Sequence, residues 1–129
     1  IGPPMKLRIR GNTVRIRVSQ NEMNEISSVG LTQDSAEFGP GSRLSYRVEV
    51  VSQGPISASY TEDCINVKLP RDAVDQWQSP DEVSIVGEQS LDDGGRLKIL
   101  VEKDFVCLAP REGEEDEADM FPNPRRGDL

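Results

Sequence analysis

Residues 5–18 read MKLRIRGNTVRIRV, and this stretch decides the fold. Apolar side chains alternate with polar, mostly basic ones on both sides of Gly11-Asn12, a dipeptide suited to a two-residue turn. Period-two alternation around such a turn predicts a β-hairpin with one apolar face and one basic face. The same run therefore predicts a strand pair and a surface of positive charge.

The segment after this hairpin predicts a short helix and further strands. Ser19 and Glu22 have the spacing of a capping box, and Met23 and Ile26 lie three residues apart on one helical face. Two strand-like segments follow, at 32–38 and 44–50.

The same order of elements recurs from residue 56 onward. Eleven apolar positions keep phase when the chain is shifted by 51 residues, although the third strand of each half does not hold this register. Similar amphipathic segments also slide into phase by chance, but the shared element order favours a duplication of about residues 5–51 and 56–102. We predict one α+β domain over residues 5–108, built from two tandem strand-strand-helix-strand-strand units. Its sheet would be mainly antiparallel with two short helices, and barrel-like closure is one option.

Composition excludes several kinds of site. The chain has 129 residues, a formal charge of -8 and no histidine, which removes Ser-His-Asp triads, Cys-His dyads and histidine-ligated metals. Cys64 and Cys107 form no CxxC pair, so a structural zinc site is not expected. A single disulfide between them is geometrically possible, but nothing indicates export, so we expect two reduced thiols in a cytoplasmic protein with no metal or cofactor. No apolar run approaches the ~18 residues that span a bilayer, so no membrane role is expected. Ile1–Pro4 precede the patterned chain and are left out of the fold prediction, whether or not they are native.

The closing segment, residues 109–129, differs in composition from the rest of the chain. It holds seven acidic residues against three arginines, together with three prolines and few apolar side chains. Such a segment buries too little apolar surface to order itself. We interpret it as an acidic tail or as a strap that docks on another surface. The candidate docking residues are Glu115, Asp116, Asp119 and Phe121.

Basic side chains alternate with core positions along the predicted strands, so one surface is expected to be basic although the chain is acidic. The candidate ligand-binding residues are Arg8, Arg10, Arg15, Arg17, Arg47, Lys68 and Lys98. Arginine suits phosphate and carboxylate oxygens, and facing arginines on paired strands repel each other unless an anion or carboxylate lies between them. The alternative is that exposed strands favour long charged side chains, which deter aggregation. Nucleic acid is a weaker candidate because most of the few aromatic residues are in phase with the core.

Two stretches, MKLRIRGNTVRIRVSQNEM and LVEKDFVCLAPREGEEDEADMFPNP, resemble a small family of bacterial proteins of unknown function. The resemblance runs from Met5 to Pro124 and is most specific in the closing stretch. The matching positions there are Asp104, Phe105, Cys107, Glu115, Asp116, Asp119, Phe121, Asn123 and Pro124. This resemblance implies no activity, cofactor or catalytic residue, but it does imply that the closing segment is an integral feature.

The layout is also similar to that of the triphosphate tunnel phosphohydrolases, in which repeated antiparallel strands and helices close a wide barrel. The opening alternation of glutamates in that family is replaced here by KLRIRG, which has no carboxylate to hold magnesium. The similarity is therefore one of layout.

Two functions follow from these observations. The leading one is a non-enzymatic cytoplasmic protein whose basic sheet face binds an unknown anionic ligand or protein partner, or its own acidic tail. The alternative is a metal-dependent phosphohydrolase, with the metal held by Glu49, Glu102 and neighbouring acids. The identity of the ligand and the oligomeric state stay open.

Overall fold

The computed structural model describes residues 5–105, which form eight strands and two helices. In chain order these are β1 (Lys6–Arg10), β2 (Thr13–Val18), α1 (Gln20–Ser28), β3 (Leu31–Gly39), β4 (Ser42–Val51), β5 (Ser57–Thr61), β6 (Cys64–Pro70), α2 (Arg71–Trp77), β7 (Ser84–Ser90) and β8 (Arg96–Lys103). The order strand-strand-helix-strand-strand, repeated once, agrees with the sequence prediction.

The first helix begins where the capping signal places it. The Ser19 hydroxyl accepts a hydrogen bond from the Glu22 backbone N–H at 3.3 Å, and the Glu22 carboxylate accepts one from the Ser19 N–H at 2.9 Å. This reciprocal pair satisfies two N–H groups that the helix itself leaves without partners. Met23 and Ile26, three residues apart in this helix, are buried as the spacing predicts.

The strands form two four-stranded sheets. Sheet A has the order β1-β2-β8-β7, and sheet B has the order β3-β4-β6-β5. In each sheet the outer pairs are antiparallel, whereas the central pairs, β2 with β8 and β4 with β6, are parallel. The prediction of a mainly antiparallel sheet therefore holds for four of the six pairings, and the barrel-like option is wrong because residues 5–105 form no closed barrel.

The two halves of the chain exchange hairpins. Sheet A combines the first hairpin of the N-terminal half with the second hairpin of the C-terminal half, and sheet B combines the other two. Each helix connects a strand of one sheet to a strand of the other, α1 between β2 and β3 and α2 between β6 and β7. Neither sheet is therefore made by one half alone.

The strand registers of the halves correspond, with one change of offset. Lys6 pairs with Arg17 in the first half, and Ser57 pairs with Lys68 at an offset of 51 residues. The third and fourth strands correspond at an offset of 53, since the pairing of residues 31 and 49 recurs as that of residues 84 and 102. The fourth strands therefore correspond at an offset of 53 residues and not at the 51 used to align them in the sequence. Common descent of the two halves stays a prediction.

One core lies between the inner faces of the two sheets and the buried faces of both helices. Its fully buried members include Ile16, Val101, Val48, Val67 and Trp77. Because strand side chains alternate between faces, the residues between these positions point away from the core. This alternation places two outward faces on the molecule, one on each sheet.

Two contacts connect the sheets at their margins. The Tyr46 hydroxyl in β4 donates a hydrogen bond to the Met5 carbonyl oxygen, just before β1, at 3.1 Å. Burial raises the pKa of this hydroxyl, and the carboxylates of Asp34 and Glu22 raise it further. At another margin, the side chain of Ile56 packs directly over the backbone of Gly87 in β7.

The turn between β5 and β6 offers a stability test. Glu62 and Asp63 adopt φ values of +52° and +60°, a backbone region that costs non-glycine residues about 1 kcal/mol or more each. Replacing them together, Glu62→Asn with Asp63→Gly, installs the pair that such turns favour and is expected to stabilise the fold by about 1–2 kcal/mol. Urea denaturation measures this change.

The equivalent turn of the first hairpin supplies the matched control. Gly11 has a φ of +54°, and a Cβ added there meets no atom within 4 Å. Gly11→Ala therefore isolates the backbone cost and should destabilise the fold by about 1 kcal/mol. Equal unfolding midpoints for the wild type and the double turn variant would contradict the strain argument.

Candidate functional site

The outward side of sheet A gathers most of the basic residues singled out in the sequence. We call this surface the basic face and define it by the cations Lys6, Arg8, Arg10, Arg15, Arg17, Arg96 and Lys98. They alternate with inward residues such as Leu7, Ile16 and Ile99, which contact the core. The amphipathic pattern of residues 5–18 thus produces a cationic surface on one side of a single sheet.

Like charges face each other across the first hairpin of this sheet. Arg8 lies directly opposite Arg15, and Lys6 lies opposite Arg17. Pairs of this kind destabilise a sheet by a few tenths of a kcal/mol or more. A neighbouring carboxylate or a bound anion would offset that repulsion.

Glu102 of β8 supplies one such carboxylate. Its Oε1 lies 3.3 Å from Arg17 Nε and 3.6 Å from Arg15 Nε. The Arg17 contact is a hydrogen bond, but the Arg15 distance exceeds the hydrogen-bonding range, and this buried Nε has no hydrogen-bond partner among the described residues. Glu102 therefore satisfies Arg17 better than Arg15.

Two further ion pairs lie at the ends of the face. Lys6 Nζ is 2.9 Å from Asp104, and Arg96 is 3.1 Å from Glu88. Both the lysine and the arginine are well exposed, so these pairs are screened by water and salt.

Three cations of the basic face have no such partner in the described part of the chain. Arg8, Arg10 and Lys98 are exposed and form no ion pair with a carboxylate among residues 5–105. Arg10 and Lys98 lie in the same row of the sheet, separated by Thr13. These are the positions at which an external anion would meet the least competition.

Two of the predicted site residues lie elsewhere. Arg47 and Lys68 project from sheet B, so they do not join the cations of sheet A. Arg47 donates a hydrogen bond to the side-chain oxygen of Asn66 at 3.2 Å, and the Asn66 amide donates to Glu49 at 3.1 Å. Strand alternation predicts the outward direction of a side chain but not the sheet to which its strand belongs, which is why the prediction merged two surfaces.

The carboxylates of the hydrolase alternative are also separated. Glu49 lies in sheet B beside Asn66, whereas Glu102 lies in sheet A between two arginines. Within residues 5–105, no three acidic, cysteine or histidine side chains come together in an arrangement that could hold a metal ion. The described part of the chain gives this alternative no site.

The basic face also carries an apolar pair that the sequence pattern did not predict. Leu100 lies opposite Arg15, and Val86 lies opposite Leu100, so the two continue the row that starts with Arg8. Val86 is 52% exposed, although it belongs to a strand. The signal was available, since Val86 is out of phase with the inward Ile85.

Of the residues in the cysteine and tail predictions, the structure describes only Cys64. Cys64 is a partly buried residue of β6 that forms no disulfide with any of residues 5–105. Cys107 and the docking candidates Glu115, Asp116, Asp119 and Phe121 lie outside the described residues, so the thiol and docking predictions stay predictions.

A family model matches residues 5–125, from the residue before β1 to well past β8. The chain belongs to DUF7009, a family of unknown function. This membership confirms the resemblance expected from the two quoted stretches, and it extends over most of the acidic segment. Neither the curated proteins nor the solved structures include a match to the chain. Within residues 5–105, neither helix is long and apolar enough to cross a membrane.

Proposed function

We propose that this DUF7009 protein is a non-enzymatic binding protein that presents the basic face of sheet A to an anionic protein partner. The observation that supports the proposal is the set of exposed cations without carboxylate partners among the described residues, namely Arg8, Arg10 and Lys98. Arg8 also faces Arg15, so a bound carboxylate would reduce the repulsion within the sheet.

The chemistry of the face favours a protein partner over a nucleic acid. None of the four strands of sheet A contains an aromatic residue. Binding of single-stranded nucleic acid relies on aromatic side chains that stack on the bases, in addition to positive charge. Carboxylates need only the guanidinium and ammonium groups that the face provides.

The acidic C-terminal segment is a competitor within the same chain. It follows β8, a central strand of sheet A, and carries a run of acidic residues at 114–117. Because it is tethered, its effective concentration at the face is about millimolar, the order of magnitude expected for a short tether. The protein would act in the cytoplasm, where a free thiol such as that of Cys64 stays reduced.

Charge reversal tests the proposal with heparin as the polyanionic probe. Arg10→Glu is expected to weaken heparin binding about tenfold, equivalent to about 1.4 kcal/mol, and to reduce its salt dependence. Lys68→Glu is the matched control, because it makes the same charge change at an exposed strand position of sheet B. Isothermal titration calorimetry at several salt concentrations measures the heparin affinity of both variants and its salt dependence.

Removal of residues 111–129 completes this test. The truncation leaves every described strand and helix in place and should strengthen heparin binding, since the competitor is lost. The proposed function is wrong if heparin binds neither form at low salt, or if Lys68→Glu weakens binding as much as Arg10→Glu.

A further inference from the structure

The basic face is divided between charge and apolar surface. Its β1 and β2 side holds four arginines, whereas the middle of its β8 and β7 side holds Leu100 and Val86. An exposed valine beside a cationic surface adds nothing to the binding of a simple phosphate or sulfate group. It does add contact area for a ligand that has both carboxylates and a large apolar side chain.

The width of the face determines how far apart the carboxylates and the apolar side chain of such a ligand must be. Arg8 and Val86 occupy the two edge strands of sheet A, three strand spacings apart, which is about 14 Å at ~4.8 Å per spacing. An extended peptide advances ~3.3 Å per residue, so about four residues cover that distance. The ligand would therefore place its carboxylates about four residues from its apolar anchor.

The chain contains a segment of this kind after β8. Residues 114–121 read EEDEADMF, in which Phe121 follows Glu117 by four residues. Nine residue steps separate Phe105 from Glu114, and a chain of that length can span up to about 30 Å, whereas the face is only about 13 Å long from Lys6 to Arg10. The segment is thus long enough to turn back and cross sheet A.

We propose that Glu114–Phe121 docks in cis across the basic face, with its acidic side chains on Arg8 and Arg10 and its phenyl ring on Leu100 and Val86. This inference rests on the proposed function and specifies how the site is regulated. It also defines the partner in trans as an acidic peptide with an aromatic residue about four positions after the acidic run.

Methyl NMR of the full chain tests the docking without any added ligand. An aromatic ring over a methyl group shifts its resonance, so Phe121→Ala is expected to move the Val86 and Leu100 methyl signals. Phe38→Ala is the matched control, because Phe38 is an exposed phenylalanine of sheet B. Neutralising the acidic run with Glu114→Gln, Glu115→Gln, Asp116→Asn and Glu117→Gln should move the same two signals.

Heparin titration of the same full-chain variants measures how strongly the docked segment competes with a ligand for the basic face. Phe121→Ala is expected to strengthen heparin binding about tenfold, the factor expected if only about one molecule in ten is undocked in the wild type. Phe38→Ala should leave the affinity unchanged.

The outcomes separate the two proposals. If Arg10→Glu weakens heparin binding but neither tail variant moves the Val86 and Leu100 signals, the binding function stands and the docking inference is overturned. If those signals move only as the protein concentration rises, the segment binds a second copy, which also overturns docking in cis. If the signals move as expected while heparin binds no variant, the docking stands and the heparin-based function fails.

Discussion

Replacing Trp77 with alanine is expected to lower the free energy of unfolding by about 3–5 kcal/mol, the usual cost of truncating a buried large aromatic side chain. Trp77 is 1% exposed and belongs to the core shared by both sheets. Its indole N–H donates a hydrogen bond to the Val83 carbonyl oxygen at 3.1 Å, which connects α2 to the segment before β7. Since domains of this size are stable by only about 5–15 kcal/mol, this single substitution would remove a large share of the free energy of unfolding.

Trp77→Phe separates the two contributions. Phenylalanine keeps most of the apolar volume but lacks the N–H donor, so we expect a smaller loss of about 1–2 kcal/mol. Urea denaturation followed by far-ultraviolet circular dichroism measures both variants. A loss below about 1 kcal/mol for Trp77→Ala would show that α2 contributes little to the common core.

Gly87→Ala is expected to destabilise the fold by about 1–3 kcal/mol, as other insertions into packed sites do. A Cβ at this position would lie 2.8 Å from both Cβ and Cγ2 of Ile56, closer than real Cβ atoms approach their neighbours. Both clashing atoms lie at the branched root of the isoleucine side chain, so a change of rotamer does not remove the Cβ contact. The backbones of β7 and the residues before β5 would have to separate.

A double-mutant cycle identifies the cause. Ile56→Ala removes Cγ2 and leaves the Cβ contact, so it should relieve part of the cost of Gly87→Ala, which additive effects would not do. Unfolding free energies of the two single variants and the double variant measure the coupling. Strict additivity would place the origin of the destabilisation away from Ile56.

The distribution of charge explains how an acidic chain can present a basic surface. The formal charge of -8 describes the whole sequence, and seven of its acidic residues lie in the closing segment. On the basic face, Glu102 interacts with two arginines, while Arg10 and Lys98 remain exposed. The local field at that surface, rather than the net charge, determines which ligands approach it.

Local signals in the sequence were sufficient for the elements and for the direction of the side chains. The Gly11-Asn12 turn, the Ser19–Glu22 capping box and the alternation over residues 5–18 each depend on neighbours within a few positions. The same alternation predicted that arginines would face each other across the hairpin, and Arg8 lies opposite Arg15. These features follow from backbone geometry that acts over one turn or one strand pair.

The pairing of strands that are distant in sequence could not be predicted in the same way. A period of two distinguishes the inner face from the outer face, but it contains no information on which distant strand lies alongside. For that reason Arg47 and Lys68 were grouped with the cations of sheet A, and the parallel central pairs were missed. The change of offset from 51 to 53 residues between the halves was not visible in the fourth strand for a related reason. A shift by two residues leaves every inward and outward position of a strand unchanged.

The exchange of hairpins between the halves has a consequence for biosynthesis. Arg17 and its partner Glu102 are 85 residues apart, so the inner edge of the first hairpin stays bare until nearly all of the described chain has left the ribosome. Closing such long loops slows folding, and an uncovered strand edge attracts other nascent chains. Arginine and lysine along this early hairpin would keep neighbouring copies apart by mutual repulsion during that interval.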